Sequence, residues 1–356
     1  MLTKLETENF KAFGERVSFD LRPLTVLIGA NGSGKSSVLE AIGLLSQNAA
    51  PPEGSPEFKW KDQHVDLGTT GSSAFHKPDH DLHLWLSVEI EAGDYFLKWL
   101  RKHNHDTDAA AATLGYGVQA VNEPMHHRFL TFGLFTSYVA GYLRRRVFMV
   151  GPNRLPTREA PRADSAPLNV GRRGERTITV LSAMFASPRH LAQSRKIQQW
   201  AEVFGLGSLT SGWVMEELLH AGYLDSEFET PLGFESAGCG AQQILPIIAQ
   251  IFAAPANSVI LIEEPEAGLH PQAQRDLAKM LCDAASQGLQ LIITTHSETL
   301  IKMLAEAVET NHLRRDDLIV YEITKSPSGA KPTRVPMKAR SEVPATFAAS
   351  AGRLSA

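Results

Sequence analysis

The chain has 356 residues, two of them cysteine, with 43% hydrophobic residues and a formal net charge of −4 at pH 7. This length and hydrophobic content fit one large or two ordinary globular domains, and nothing suggests a disulfide framework. No run approaches the roughly 20 apolar residues of a membrane span, and the N-terminus lacks a signal peptide's apolar stretch, so we expect a cytoplasmic protein with no membrane contact. The net charge gives no overall attraction to nucleic acid.

The first predicted elements are strands followed by a helix. Leu2 to Phe10 and Val17 to Leu21 are predicted strands that flank a turn, and the apolar run Leu24 to Ile28 is predicted to be a buried strand. The run from Ser36 to Leu45 has the spacing of a helix. Residues 47–56 are rich in Pro, Ala and Gly, which predicts an exposed connection.

Between the buried strand and the helix lies the most informative motif of the chain. Gly29 to Ser36 read Gly-Ala-Asn-Gly-Ser-Gly-Lys-Ser and match G-x-x-x-x-G-K-[ST], the phosphate-binding loop, in the strand–turn–helix context that it requires. Its glycines let backbone N–H groups converge on phosphate oxygens, and the helix N-terminus adds a partial positive charge. Lys35 is predicted to reach the β- and γ-phosphates and Ser36 to ligate Mg²⁺. The predicted nucleotide-binding residues of this loop are Gly29, Ala30, Asn31, Gly32, Ser33, Gly34, Lys35, Ser36 and Ser37.

The middle third of the chain has weaker patterns. Leu82 to Ile90 alternates apolar and polar residues, which predicts a half-buried strand. From Asp94 to about Arg128 the pattern is poor, and we expect an insertion or a mobile lobe. Val147 to Val150 is a predicted strand, and helical periodicity dominates from Thr177 to Leu206.

A basic stretch lies between Arg144 and Arg176. It has nine arginines, no lysine and three acidic residues, which give a net charge of +6. Arginine suits bidentate binding of phosphates, so this segment is a candidate surface for double-stranded DNA. The alternative is a solvated loop with ordinary surface ion pairs.

A second chemical motif begins at the apolar run Val259 to Ile262, a predicted parallel strand. It ends in Glu263-Glu264-Pro265-Glu266, and two adjacent acids at a strand end point to opposite sides. We assign Glu263 to Mg²⁺ and Glu264 to the general base that polarises the attacking water. The alternative is a pair of exposed acids that close a strand.

Two further segments flank this acidic motif. Downstream, an amphipathic helix from Pro271 to about Ala285 leads to the strand Leu289 to Ile293 and then to His296, which would touch the γ-phosphate or be a structural histidine. Upstream, Glu235 to Gln243 opens an apolar helix and offers a second anion site. With a single phosphate loop in the chain, this site would cap the γ-phosphate bound to another copy. The alternative is a helix N-cap formed by Ser236.

The order of these motifs resembles the ABC-type ATPase heads of the SMC, RecF and OLD (overcoming lysogenization defect) group, often catalogued among prokaryotic "AAA" ATPases. Gly29–Ser36 matches Walker A, Val259–Glu264 matches Walker B, Ala267–His270 lies where the D-loop does, and His296 matches the switch histidine. The start Asn9-Phe-Lys-Ala-Phe resembles the N-F-[KR]-x-F of these heads, which implies that Lys11 lies near the nucleotide.

Other parts of the resemblance depart from the usual pattern. The signature motif, implied at Ser236, Gly238, Gly240 and Gln243, lacks the usual Ser-Gly-Gly-Gln run, and Glu263 stands where most ABC ATPases have Asp. Gln63 is the nearest candidate for the Q-loop glutamine. Arg154, in Gly151-Pro-Asn-Arg154, is a further candidate site residue.

The resemblance implies an α/β P-loop fold, an ABC-ATPase head with a mixed or parallel central sheet and an inserted helical lobe. The form expected is compact and arm-less, without the Toprim nuclease half of OLD proteins. We expect a single head over residues 1–356, divided into an N-terminal sheet and Walker A lobe (1–93), an insertion (94–230), a signature, Walker B and switch-histidine lobe (231–325) and a tail (326–356).

The implied function is an ATP-binding and ATP-hydrolysing switch that uses Mg²⁺ and forms a homodimer or a higher oligomer on ATP. Its expected setting is DNA-associated, with anti-phage defence through a separate effector such as a nuclease, or DNA repair of the RecF and SMC type. Three alternatives stay open: a transporter subunit, a non-hydrolysing scaffold and a metal-dependent nuclease. The nuclease would hold its metal through His103, His105, His126 and His127.

Overall fold

The computed structural model describes most of the chain. The described residues are 1–49, 59, 61–67, 83–92, 95–104, 113–120, 138–155, 159–161, 169–215, 218–225 and 229–337. They pack as two compact units, one formed by residues 1–147 with the described residues from 314 onwards, and one formed by residues 148–313.

The elements are numbered in chain order. The strands are β1 (Leu2–Glu8), β2 (Val17–Asp20), β3 (Leu24–Ile28), β4 (His83–Ala92), β5 (Tyr95–Asn104), β6 (Thr113–Ala120), β7 (Val147–Val150), β8 (Glu159–Pro161), β9 (Ser208–Met215), β10 (Leu218–Leu224), β11 (Pro231–Gly233), β12 (Val259–Glu263), β13 (Gln290–Thr294), β14 (Leu318–Ser326) and β15 (Gly329–Val335). The helices are α1 (Lys35–Gln47), α2 (Thr177–Ala186), α3 (Leu191–Val203), α4 (Cys239–Ala253), α5 (Pro271–Ser286) and α6 (Glu298–Glu309), and residues 138–146 are also helical.

The first unit contains an antiparallel sheet in the order β2-β1-β4-β5-β6. Alternate residues of β1, β2 and β4 enter the core, among them Leu5, Phe19 and Val88, as the alternation in the sequence predicts. The strands β5 and β6 extend this sheet in the stretch that was expected to be an insertion with a poor pattern. Long strands therefore occupy part of the predicted helical lobe.

A second ladder of the first unit positions the phosphate loop. Strand β3 is buried throughout and runs parallel to β14, which pairs with β15 in antiparallel fashion. The Tyr321 hydroxyl on β14 accepts a hydrogen bond from the Asp20 N–H at 2.9 Å, and its ring meets Phe19 edge to face. Because β14 pairs with β3, the position at which the phosphate loop begins is fixed.

The connection after α1 differs from the prediction where it is described. Gln47, Asn48 and Ala49 are buried rather than exposed, because the two amide side chains bind the segment 59–65. Gln47 accepts from the Val65 N–H and donates to the Lys59 carbonyl, and Asn48 accepts from the Lys59 N–H. The rest of the predicted connection lies outside the described residues.

The second unit contains the parallel pair β12 and β13, both buried throughout, with α5 as the crossover between them. The register places Glu263 opposite Thr294, so the two strands end at the same level. The predicted helical stretch from Thr177 is two helices, α2 and α3, because Pro188 follows Ser187 and starts a new turn. An antiparallel sheet of β8, β9, β10 and β11 completes this unit.

Candidate functional site

The phosphate loop joins β3 to α1, and its backbone requires glycine. Gly29 has φ +143° and Gly34 has φ +113°, values that residues with a side chain rarely adopt. A Cβ on Gly29 would lie 2.4 Å from the Ile323 carbonyl oxygen, and one on Gly34 would lie 2.7 Å from the Ala12 Cβ. These two glycines are therefore dictated both by conformation and by close packing.

Lys35 is the first residue of α1 and is almost fully buried. Its Nζ donates to the carbonyl oxygens of Gly29 at 2.9 Å and Ala30 at 3.0 Å, so the ammonium group is held by its own loop. The Ser33 hydroxyl is also buried and has no hydrogen-bond partner among the described residues. A cation at a helix N-terminus, surrounded by loop backbone, is an arrangement suited to phosphate oxygens.

Two predicted site residues of the first unit make other contacts in the structure. Lys11, expected near the nucleotide, binds the buried Glu40 carboxylate of α1 and so fastens the turn after β1 to the phosphate-loop helix. Gln63, the Q-loop candidate, is exposed, and its side-chain amide lies 3.2 Å from His64 Nε2.

In the second unit, the ends of β12 and β13 bring together the predicted acids and the histidine. The Glu263 carboxylate is buried and forms an ion pair with Arg172 at 3.1 Å. The Glu264 side chain is 43% exposed, and its Oε1 lies 3.7 Å from His296 Nε2. Glu264 has φ +46°, and its N–H donates to the Thr294 carbonyl at 3.0 Å. The structure thus places the Glu264 carboxylate and the His296 ring side by side.

Glu266 connects the acidic turn to the histidine segment, a role that the sequence analysis missed. Its Oε1 accepts hydrogen bonds from the Thr295 hydroxyl at 2.7 Å and from the His296 N–H at 2.8 Å. Its Oε2 is buried and accepts no hydrogen bond from the described residues. The Ser297 N–H in turn donates to Thr295 Oγ1, and the Ser297 hydroxyl caps α6. The sequence did contain a signal for this role, because Glu266 is the last acidic residue of the Glu-Glu-Pro-Glu motif.

Arg154 lies under the acidic turn with none of its surface exposed. Its guanidinium donates to four backbone carbonyls, at distances from 2.6 to 2.9 Å, and these belong to Gly151, Gln243, Glu263 and Glu264. Burial lowers the pKa of Arg154 to about 10, while the neighbouring carboxylates favour its charged form, so it stays protonated at neutral pH. Arg154, a candidate site residue, is therefore a support beneath the site.

The signature segment divides into exposed and internal residues. Ser236 and Gly238 are exposed, whereas the Gln243 Oε1 accepts from the Arg154 N–H at 3.1 Å. A Cβ on Gly240 would lie 2.7 Å from the Gly268 carbonyl oxygen, so the start of α4 packs on the D-loop segment. The N-cap residue of α4 is Gly238, which makes the alternative of a Ser236 N-cap wrong.

The nine arginines from 144 to 176 do not share one role. Arg154 is buried, Arg172 binds Glu263, and the Arg176 Nε donates to the Asn169 carbonyl. Arg144, Arg145 and Arg173 are exposed. Arg158 and Arg162 lie outside the described residues. Three of the nine arginines thus bind other groups of the protein, so fewer arginines than the sequence suggested are available to form a DNA-binding surface.

The histidines of the nuclease alternative lie outside the described residues, apart from His103, whose side chain is not described. Within the described ranges, no group of three or more His, Cys, Asp or Glu side chains could hold a metal ion. Cys239 is exposed and Cys282 is buried, and both are free thiols. None of the helices in the described part of the chain is long and apolar enough to span a membrane.

Comparisons of the sequence with known families match two segments. Residues 1–106 match the family described as "AAA ATPase domain", and residues 140–302 match that described as "AAA domain, putative AbiEii toxin, Type IV TA system". The OLD nuclease of Thermus scotoductus is 23% identical over 349 residues, which cover 91% of this chain. The chain spans 64% of the length of that relative.

Solved structures of SMC heads are similar to nearly the whole chain. The head domain from Thermotoga maritima has a TM-score of 0.51 at 11% identity and covers 94% of this chain and 99% of that one. An SMC head bound to the C-winged helix domain of ScpA has a TM-score of 0.60 at 12% identity, with coverages of 95% and 98%. The likeness confirms the predicted fold class, an α/β fold of the SMC-head kind with a mixed, largely parallel central sheet.

Proposed function

We propose that this chain, an ATP-hydrolysing P-loop ATPase of the ABC type and of the OLD, SMC and RecF kind, is a switch that closes into a dimer on ATP and reopens after hydrolysis. We propose further that it acts in anti-phage defence and controls a separately encoded effector, such as a nuclease. The relative named OLD nuclease supports this setting, as does the match to the family described as "AAA domain, putative AbiEii toxin, Type IV TA system". The Glu264–His296 pair is the observation that carries the switch proposal.

The residues of the phosphate loop bind the triphosphate. Lys35, held by the carbonyls of Gly29 and Ala30, can exchange these bonds for phosphate oxygens with little movement, because its ammonium group is already at the loop. Loop N–H groups and the start of α1 supply further positive potential. Lys35 thus compensates charge that builds up on the β- and γ-phosphates during transfer.

The Ser36 hydroxyl and the Glu263 carboxylate would hold Mg²⁺. Both are hard oxygen donors of the type that this ion prefers, and the buried Glu263 carboxylate already has a cationic neighbour in Arg172 at 3.1 Å. When bound, Mg²⁺ supplies charge compensation at the phosphates. Exchange of Arg172 for a metal at Glu263 would keep this buried carboxylate paired.

Glu264 and His296 act on the attacking water. Glu264 is exposed enough to reach a water molecule, and a carboxylate there accepts a proton or orients the water for in-line attack. The ring of His296 lies within reach of the same carboxylate, so both groups can act on one small volume. Glu266 holds the His296 backbone in this position.

The dimer contact is proposed at the start of α4. Ser236 and Gly238 are exposed, as residues that complete the site of a second copy must be. The helix begins at Cys239, so its partial positive charge is available to a phosphate. ATP would favour the closed dimer by contacts that exist only in that state.

The test is ATP turnover by the purified protein with and without linear double-stranded DNA, with Lys35→Ala as the blank. Turnover that DNA raises several-fold supports a DNA-associated switch. Turnover that is indifferent to DNA contradicts direct sensing of DNA and leaves a protein effector as the regulator. If DNA binds, its affinity should fall by about 0.9 log unit per log unit of salt for each phosphate neutralised.

A further inference from the structure

Arg154 lies where three segments of the second unit meet. Its Nη1 donates to the carbonyl oxygens of Gly151, after β7, and of Glu263, at the end of β12. Its Nη2 donates to the Glu264 carbonyl, and its Nε donates to the Gln243 carbonyl in the first turns of α4. A single planar group therefore fixes the signature helix to the acidic turn through main-chain atoms.

The backbone that Arg154 holds at Glu264 is an uncommon one. Glu264 has φ +46°, a left-handed conformation in which a residue with a Cβ is strained. Its N–H donates to Thr294 Oγ1 at 3.2 Å as well as to the Thr294 carbonyl, and its own carbonyl accepts from Arg154 at 2.9 Å. Because Thr294 binds the Glu264 N–H and Arg154 binds its carbonyl, these two residues fix the direction of the Glu264 side chain.

The segment that carries Arg154 is itself bound to α4. The Gly151 N–H donates to the Arg172 carbonyl at 2.7 Å, which pairs it with the stretch 169–176. In that stretch the Val170 N–H donates to Gln250 of α4 at 2.9 Å, and a Cβ on Gly174 would lie 2.6 Å from Pro246. A displacement of α4 would thus be transmitted to Arg154 by several contacts.

We infer that Arg154 is a positioning residue that couples the signature helix to Glu264, so that docking of a second copy on α4 sets the catalytic geometry. The inference rests on the proposed function, because it assumes that a second copy docks on α4 and adds that this docking affects ATP hydrolysis. Lysine cannot replace Arg154 here, because its ammonium group has three N–H donors on one nitrogen, whereas the guanidinium reaches four carbonyls from three nitrogens.

The experiment compares Arg154→Lys with the wild type and with Arg173→Lys, a matched control at an exposed arginine of the same stretch. We expect Arg154→Lys to lower kcat at least tenfold with less than a threefold change in KM, because the phosphate loop is untouched. In the Glu264→Gln background, which should hold the ATP-bound dimer, Arg154→Lys should weaken ATP-dependent dimerisation at least tenfold. The control should match the wild type in every measurement.

The outcomes separate this inference from the proposed function. If Arg154→Lys retains the wild-type kcat, or if kcat and fluorescent-nucleotide affinity fall together, the coupling role is overturned. If Glu264→Gln itself does not dimerise on ATP, the dimer switch fails, whatever Arg154 does. Should Arg154→Lys not fold, Gln243→Met removes only the acceptor of the Arg154 N–H, and a threefold lower kcat at constant KM is the expected sign of coupling. An unchanged kcat in Gln243→Met would contradict it.

Discussion

The phosphate loop and the acidic turn are built by different means, although both follow a buried strand. The loop is shaped by its own backbone: glycines at φ +143° and +113° admit no Cβ, and Lys35 is held by carbonyls five and six residues before it. The acidic turn is shaped by side chains from elsewhere in the chain. Arg154 supports it from below, and Glu266 joins it to His296.

This difference teaches where each half of the chemistry is vulnerable. A loop that depends on its own backbone conformation, packed closely against Ile323 and Ala12, fails when a methyl group is added. A turn that depends on distant side chains fails when one of those side chains is shortened, even at a residue that touches no substrate. Substitutions can therefore tell the two designs apart.

The largest expected effect is that of Gly29→Ala. The added Cβ would lie 2.4 Å from the Ile323 carbonyl in a conformation that alanine rarely adopts, so the loop must move. We expect ATP affinity to fall on the order of 100-fold and the free energy of unfolding to drop by about 2 kcal/mol. Gly32→Ala, with φ +70° and open space around it, should cost less in both fluorescent-nucleotide binding and thermal unfolding. Equal losses would contradict the packing argument.

The next effect is that of Glu264→Gln, which should separate turnover from binding. Loss of a general base typically lowers the rate by about 10²-fold or more, while the phosphate loop keeps its affinity. Turnover assays should show this fall, and light scattering should show a dimer that persists with ATP. Asp276→Asn in α5, where the half-buried carboxylate pairs with Lys279, is the control. Wild-type turnover in Glu264→Gln would remove this residue from the role of base.

A smaller effect is expected for Glu266, which accepts hydrogen bonds from the Thr295 hydroxyl and the His296 N–H. Glu266→Ala removes the acceptor for the Thr295 hydroxyl and the His296 N–H, and we expect kcat to fall about tenfold with KM little changed. Glu266→Gln keeps one carbonyl oxygen and should lose less. Steady-state kinetics on both variants decides the matter, since equal kcat values in Ala and wild type would show that His296 needs no such support.

The smallest effect is expected for Lys11→Met, which tests whether the phosphate loop also needs a side-chain support. The loss of a half-buried ion pair with Glu40 should lower the free energy of unfolding by about 1 kcal/mol. If Lys11 only fastens the turn to α1, ATP affinity should change less than threefold. Glu40→Gln, which breaks the same pair, is the matched variant. If Lys11→Met lowers ATP affinity much more than Glu40→Gln does, Lys11 contacts the nucleotide as the sequence predicts.

The same contrast explains what could be predicted from the sequence. The phosphate loop and the strands β3, β12 and β13 were found because a glycine motif and apolar runs are contiguous in sequence. The α/β fold of an SMC-type head followed from the order of the motifs and is confirmed by the likeness to solved heads, and two segments of the chain match families described as AAA domains. Glu264 and His296 lie close together because both follow strands that end at the same level, and their roles as general base and γ-phosphate contact stay predictions.

The supports of the acidic turn had no such signal. Arg154 is more than 100 positions from Glu264 and belongs to a stretch whose charge suggested a DNA surface instead. Strands β5 and β6 were missed because they lie in a stretch without clear alternation, where tertiary pairing decides the structure. The partition of the chain into lobes and the trans role of Ser236 and Gly238 stay predictions.

The two cysteines give the native chain a reporter of its own movement. Cys239 is exposed at the first position of α4, and burial raises the pKa of the Cys282 thiol to about 12. Since the thiolate is the reactive form, a small fluorinated thiol reagent at neutral pH should modify Cys239 and spare Cys282. The label on Cys239 would then place a single fluorine-containing group beside the signature residues, and no engineered substitution would be needed. Its chemical shift, followed as ATP is added and consumed, would time the approach and departure of a second copy.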